Sequence, residues 1–182
     1  MKDIMDVPTF LYMAANEQTK RTAFAWMMET YQQKMYYHIR KMLINHDDTN
    51  DVLQNTFLKA WTHIASFQGN SAVSTWLYRI ATNEALDFLR AKKQSSEYVD
   101  IENMLELSLE DTSYFSGSEI QKKLQKAILM LPEKQRLVFN MRYFDDMSYK
   151  QLSEILDTSE GALKASYHLA VKKIEKLILI LD

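Results

Sequence analysis

The sequence predicts an all-α fold, and three observations carry that expectation. Only three glycines and two prolines occur in 182 residues, too few turn-forming residues for a sheet protein of this size. Apolar side chains recur at helical spacing through most of the chain, which marks helices with one buried face. Charge is partitioned along the sequence. Residues 1–93 hold 11 Lys+Arg against 9 Asp+Glu, residues 119–182 hold the same numbers, and residues 94–118 hold six acids and no base. Two small, mildly basic helical domains, 1–93 and 119–182, joined by a flexible acidic linker over 94–118, follow from that pattern.

Phe10, Leu11, Tyr12 and Met13 predict a short packed helix near the N-terminus. Phe24, Met27, Met28, Tyr31, Met35, Ile39, Met42 and Leu43 predict a helix over 20–44. The polar break 45–50 supplies Asp and Asn residues that cap the next helix and complement its dipole. That helix, over about 50–66, points Val52, Leu53, Thr56, Phe57, Ala60, Trp61 and Ile64 inward. Asp51, Gln54, Asn55, Leu58 and Lys59 lie off the stripe, and taken alone they read as a solvated face.

The most informative stretch is Phe67–Arg90. A glycine-centred polar loop runs into a helix over about 72–92, with Asn70 or Ser71 as its cap. Trp76 and Tyr78 lie in the first turns, and one of the two packs inward. Asn83, Asp87 and Arg90 form a polar stripe that ends in the cluster Arg90, Lys92 and Lys93. Aromatics stack on displaced bases, amides read base edges and cations hold phosphates, so this combination suits a helix that opens a duplex.

In the second domain, Ile120, Leu124, Ala127, Ile128 and Leu131 predict a helix over 119–131. Pro132 then precedes a helix from Glu133 to about Tyr143. Ser148 and Gln151 form a capping box that opens a short helix. Asp157-Thr158 turns the chain, and Ser159 caps a last helix running to about Leu179. A short helix, a tight turn and a longer helix make a helix-turn-helix, whose second helix enters the DNA major groove. Gly161, Ala162 and Ala165 are expected to let the last helix approach the short one closely. The run from Leu177 to Leu181 reads as a helix end buried in a core.

Composition bounds the function. No cysteine is present, which excludes disulfides and thiolate metal sites and fits a reducing cytoplasm. No apolar run reaches membrane-spanning length, and the acidic, mixed N-terminus is no signal peptide. A cytoplasmic protein is expected. His38, His46, His63 and His168 are scattered, and the pair His46-Asp47 lacks evident further ligands. No catalytic site, metal or cofactor is expected. Net charge is −2, whereas a stand-alone nucleic-acid binder draws its affinity from excess cations. DNA binding by this chain is then either weak when it acts alone or supported by cations borrowed from a partner.

Three motifs in order then carry a resemblance. They are Asp51–Phe57 with Leu58-Lys-Ala-Trp61, the stretch Phe67–Arg90 with Thr75–Ala81, and Leu131–Phe139 leading to Met147-Ser-Tyr and Gly161-Ala-Leu-Lys164. Together the two modules resemble an extracytoplasmic-function (ECF) sigma factor of the sigma-70 family, the minimal kind that keeps only regions two and four. The resemblance implies a subunit that binds core RNA polymerase and directs promoter binding, melting and transcription initiation. Asp48, Asp51, Gln54, Asn55 and Leu58 would dock polymerase, with Asn55 standing where the family often has Glu. Gln68, Gly69, Asn70, Ser71 and Ser74 would form a pocket for one base flipped from the minus-ten element, with Trp76 beside it. Asn83 and Asp87 would contact bases next to that pocket, and Arg90, Lys92 and Lys93 would hold phosphates. Ser159, Glu160, Lys164, Ser166, Tyr167, His168, Lys172 and Lys173 would read the minus-thirty-five element. The family is commonly more basic there, so base preference does not carry over. The linker would thread the polymerase, and an anti-sigma factor is a plausible partner. Two other readings stand beside this one. A stand-alone helix-turn-helix regulator leaves Phe67–Lys93 without a purpose, and a purely packed adaptor makes Asn83 dispensable.

Overall fold

The computed structural model describes residues 5–94 and 118–180, and within them the regular structure is helical. Helix α1 spans Val7–Ala15, α2 Lys20–Leu43, α3 His46–His63 and α4 Val73–Gln94, with a 3-10 turn at Ile64–Ser66 before the loop into α4. In the second module α5 spans Glu119–Leu129, α6 Glu133–Tyr143, α7 Tyr149–Leu156 and α8 Glu160–Ile180. The acidic linker falls, except at its two ends, outside the described residues.

Local chemistry sets most boundaries. Helix α1 is capped by Asp6, whose carboxylate accepts from the Thr9 N–H at 2.8 Å. Hydrogen bonding from the Thr9 side chain, and then from this N–H, holds the Asp6 carboxyl below its usual range. Helix α3 starts four residues earlier than its apolar stripe suggested. The reason is Asn45, whose side-chain oxygen accepts from the Asp48 N–H at 2.9 Å and so makes His46 the first helical residue. Asp47 and Asp48 then sit in the first turn, where the helix dipole favours acids. The expected capping box at α7 is present. The Ser148 hydroxyl accepts from the Gln151 N–H at 3.2 Å, and the Gln151 side chain accepts from the Ser148 N–H at 2.9 Å. Gln121 makes the same return bond to the Ser118 N–H at the start of α5 (2.8 Å). Asp157 turns the chain in the left-handed region (φ 49°). Ser159 caps α8 by accepting from the Ala162 N–H at 3.3 Å. At the start of α4 the first helical bond reaches the Ala72 carbonyl (3.1 Å). Asn70 bonds Gln68 instead, and the Ser71 hydroxyl donates to the Ala72 carbonyl (3.4 Å).

Two expectations are corrected by packing. Gly161, Ala162 and Ala165 are all exposed, and a Cβ built on Gly161 meets nothing within 4 Å. The buried stripe of α8 is Leu163, Ala170 and Ile174. Leu163, with Leu152 and Ile155 of α7, fills the crossing of those helices, so the small residues leave an open helix face instead. At the C-terminal end Leu177 and Ile178 pack against the second core, but Leu179 and Ile180 are 75% and 77% exposed. As expected, one of the two aromatics near the loop packs inward: Tyr78 is buried beside Leu77, and Trp76 is half-buried.

The two modules also touch, which no local pattern foretold. Helix α7 packs on α4, and α6 packs on α2. Leu137, Met141, Met147, Leu152 and Ile155 of the second module join one continuous core with residues of the first. A polar cluster crosses the same seam. Asp145 lies 3.3 Å from His38 Nδ1 and pairs with Lys41. His38 Nε2 in turn lies 2.9 Å from the Thr82 hydroxyl. Burial raises the carboxyl of Asp145, but the bonds and charges of His38 and Lys41 outweigh it and hold the group below its usual range.

Candidate nucleic-acid and partner interfaces

The first surface is a groove between α2 and α3. It is lined by Phe24, Met28, Gln32, Asn50, Leu53, Gln54, Phe57, Leu58 and Trp61. Edge-to-face contacts of Phe24 with Trp61 (5.1 Å) and Phe57 (6.2 Å) fix its floor. Lys20 Nζ lies over the Trp61 ring at 4.7 Å. Leu58 stands on the rim with 57% of its surface exposed. Of the residues expected to dock a partner, the structure brings Gln54 and Leu58 into this groove. Asp51 and Asn55 are exposed on the same helix, while Asp48 is half-buried and drawn to Lys92 of α4 (2.6 Å). The apolar contribution of α2, from Phe24 and Met28, was not visible in the sequence, where both read as ordinary core.

The second surface is a concavity between the end of α3 and the outer face of α4. It is lined by Lys59, His63, Ser66, Trp76, Ile80, Asn83, Glu84, Asp87 and Arg90. The helical spacing of Trp76, Ile80, Asn83 and Asp87 puts them on one stripe, and Asn83 and Asp87 are exposed. Trp76 leans on Phe67 (5.2 Å), so one side of its ring is committed to packing. Lys59, His63 and Ser66 come from the preceding helix and turn, and sequence reasoning missed them. Only the spatial return of α4 along α3 brings them to the site. Gln68, Gly69, Asn70 and Ser71 lie on the adjoining loop, with Gln68 and Asn70 exposed and bonded to each other at 3.1 Å. Ser74 is not among the lining residues of this concavity; it lines the cavity at the seam between the modules, together with Thr75, Tyr78 and Asp145.

Charges in this concavity are paired. Lys59 pairs with Glu84, and Arg90 with Asp87 at 2.5 Å. Lys92 carries its bridge to Asp48, with its ammonium 5.7 Å from the Phe88 ring, and Lys93 is exposed. Two cations and two carboxylates thus cancel at the concavity itself, so a phosphate approaching Arg90 competes with Asp87. We predict that the isolated protein binds a DNA duplex weakly. Its log-affinity against log-salt slope should be shallow, about −2 or less in magnitude, since that slope counts phosphates neutralised. Fluorescence anisotropy between 50 and 200 mM salt measures it, and a steep slope with tight binding contradicts the pairing.

The third surface is the outer face of α8. Glu160, Lys164, His168, Lys172 and Lys173 are exposed along it. Lys164 lies 3.9 Å from Glu160 and over the Tyr149 ring at 5.6 Å. Ser159 is spent on capping. Ser166 is half-buried. Tyr167 faces inward, stacked on Phe139 (5.7 Å, 12°) within a run of rings that continues to Tyr143. The exposed Gly161, Ala162 and Ala165 leave the N-terminal half of this face low, which permits close approach of a duplex.

Comparison with known proteins places these surfaces in context. Residues 27–95 match Sigma-70 region 2, and residues 121–174 match Sigma-70, region 4. The chain is 33% identical over 165 residues to the ECF RNA polymerase sigma factor SigW of Bacillus subtilis, covering 85% of this chain and 88% of that protein. It is 29% identical over 172 residues to the ECF RNA polymerase sigma-E factor of Haemophilus influenzae, covering 89% and 90%. Among solved structures its fold is similar to CnrH in complex with the cytosolic domain of CnrY, with a TM-score of 0.69 at 20% identity over 95% of this chain and 97% of that one. It is also similar to RpoE of Bartonella quintana in complex with the anti-sigma factor NepR, with a TM-score of 0.68 at 20% identity over 86% and 97%.

Proposed function

This chain belongs to the ECF group of the sigma-70 family, and from that premise we propose which of its surfaces does each part of the work. As a sigma factor it makes and breaks no covalent bond. It directs RNA polymerase to promoters and starts transcription there. The α2–α3 groove docks core polymerase, with Leu58 as its exposed apolar anchor and Gln54, Asp51 and Asn55 beside it. The loop Gln68–Ser71 captures one flipped base of the minus-ten element. Asn83 and Asp87 contact the neighbouring bases, and Trp76 offers its open side for stacking. Arg90, Lys92 and Lys93 hold phosphates, Arg90 and Lys92 once Asp87 and Asp48 release them. The outer face of α8 reads the minus-thirty-five element through Glu160, Lys164, His168, Lys172 and Lys173. A partner that holds the protein inactive is also proposed, as is action in the cytoplasm beside polymerase. No described helix is long and apolar enough to cross a membrane.

Promoter recognition requires the modules to separate. Asn83 lies about 7.5 Å along α4 from Tyr78 at the seam. Glu160 lies at most about 18 Å of chain beyond Ile155. Allowing about 10 Å for the helix contact itself, Asn83 and Glu160 are within roughly 40 Å of each other, and Lys173 at the far end of the α8 face is at most about 20 Å further. The two promoter elements are about 25 base pairs apart by name, about 85 Å of duplex. The packed arrangement cannot span them.

The observation that carries this reading is the exposed pair Asn83 and Asp87 on one stripe with Trp76, next to the glycine loop. Asn83 supports no buried core, so its loss removes a base contact and little else. Asn83→Ala is expected to lower open-complex formation about tenfold, the usual worth of one good base contact, while leaving polymerase binding unchanged. Permanganate footprinting and a polymerase gel shift measure the two. Equal loss of both removes Asn83 from the reading surface.

A further inference from the structure

The loop between Phe67 and Ser71 is supported from below by helix α1. Phe10 is fully buried and touches both Trp26 of α2 (5.8 Å) and Phe67 at the loop entrance (5.7 Å, edge-on). Phe67 continues the chain of rings to Trp76 on α4. One helical position on, Leu11 reaches the crest of the loop. Gly69 adopts φ +71°, and a Cβ at that position would lie 2.6 Å from Leu11 Cδ1 and 3.2 Å from Val7 Cγ1. The backbone angle therefore requires glycine here, and a Cβ would in addition have to displace the Leu11 side chain beneath it. A loop resting on a helix in this way has its shape set by that helix. Its polar rim, Gln68 and Asn70, is then presented at a fixed height above Leu11.

We propose that helix α1, through Leu11 and Val7, is a positioning element that sets the base preference of the Phe67–Ser71 loop. The inference rests on the reading of that loop as the pocket for a flipped base. Leu11 touches no DNA in this scheme. It acts by limiting the conformations from which Gln68 and Asn70 meet the captured base, because a pocket selects among bases only while its donors and acceptors stay in place. Truncating Leu11 gives the loop room to settle toward α1. Discrimination then falls at one promoter position, while the positions read from α4 keep theirs.

The test uses polymerase reconstituted with full-length variants and a promoter library carrying all four bases at each minus-ten position. Leu11→Ala is expected to flatten preference at the captured position about fivefold, the size expected for residues in direct contact. Preference at the positions read by Asn83 and Asp87 remains, as does polymerase affinity. Val7→Ala, a smaller truncation on the same helix, is expected to act in the same direction and stands in if Leu11→Ala lowers the thermal midpoint. Gly69→Ala is expected to lose open-complex formation, and adding Leu11→Ala to it is expected to restore part of that loss, since the steric share of the defect is relieved. The inference is overturned if Gln68→Ala and Asn70→Ala flatten the captured position while Leu11→Ala and Val7→Ala do not. It is also overturned if Gly69→Ala is equally harmful with and without Leu11. If Gln68→Ala and Asn70→Ala leave the profile unchanged as well, the base-capture reading itself fails.

Discussion

Leu58→Asp is expected to weaken binding of core RNA polymerase about a hundredfold without lowering the stability of the free protein. Leu58 is an exposed leucine on a groove whose other apolar lining is Phe24, Met28, Leu53, Phe57 and Trp61. A partner seated there removes the side chain from water, and a central apolar anchor of this kind carries about 2 kcal/mol or more of binding free energy. Aspartate loses that term and adds an unpaired charge to a closing apolar surface, a further cost of about 1 kcal/mol or more. Since Leu58 is exposed in the free protein, the thermal midpoint is expected to stay within a degree or two. Anisotropy titration of labelled protein with core polymerase measures affinity, and thermal unfolding measures the control. Asn55→Glu offers the opposite sign, because it returns the acid commonly found in the family. Unchanged affinity for Leu58→Asp would move the docking surface away from the α2–α3 groove.

The second large effect concerns the seam between the modules. Asp145→Ala leaves Lys41 and His38, which are 11% and 1% exposed, without their carboxylate. Removing one partner of a buried ion pair costs about 3 kcal/mol or more, because the charge left behind stays desolvated. The second module also holds a core apart from the seam, built on Ala127, Ile128, Leu131, Phe139, Ala170 and Ile174, so the cost falls on the contact between the modules. The equilibrium between packed and separated modules is expected to shift by a factor of about a hundred toward separation. The chain has no cysteine, so cysteines installed at the exposed positions Asn55 and Lys173 report the distance by energy transfer. An unchanged distance distribution in the variant would show that the apolar part of the seam, from Met147, Leu152 and Ile155, suffices alone.

The same carboxyl fixes how the seam responds to pH. The pKa of Asp145 in the packed state lies below its ordinary value, so its contribution to packing is fully present above the unfolded value of about 3.9. It is lost as pH falls through the lower packed-state value. Between pH 7 and pH 5 the Asp145 contribution is therefore constant, and acid releases it only below the ordinary carboxylate range. Tyr78 at the same seam is held neutral across the physiological range. Burial raises its phenol well above the usual value, and the negative charge of Asp145 adds to that.

The part of this protein determined by sequence alone is the part decided within a few residues. Apolar spacing located the helices that the structure shows at 20–43, 73–94 and 133–143 to within a residue or two, since a helix buries one stripe whatever it packs against. Ser148 with Gln151 marked the start of α7 because both halves of a capping box lie in one turn. The order of three motifs identified the family and with it the two modules. Tertiary structure decided the rest. The start of α3 went to Asn45 because a side-chain cap outweighs the apolar stripe in setting a terminus. The outward turn of Gly161, Ala162 and Ala165 followed from which side of α8 met Phe139 and α7. Lys59 and His63 became part of the Asn83 surface only through the antiparallel return of α4, and Leu11 came beneath Gly69 only through the placement of α1. Asp145 and His38 stand 107 residues apart in the chain, and neither carries a local mark of its partner. Periodicity and capping are short-range and leave a record in neighbouring residues. The burial of a charge against a distant helix depends on how complete elements assemble, and that assembly decided it here.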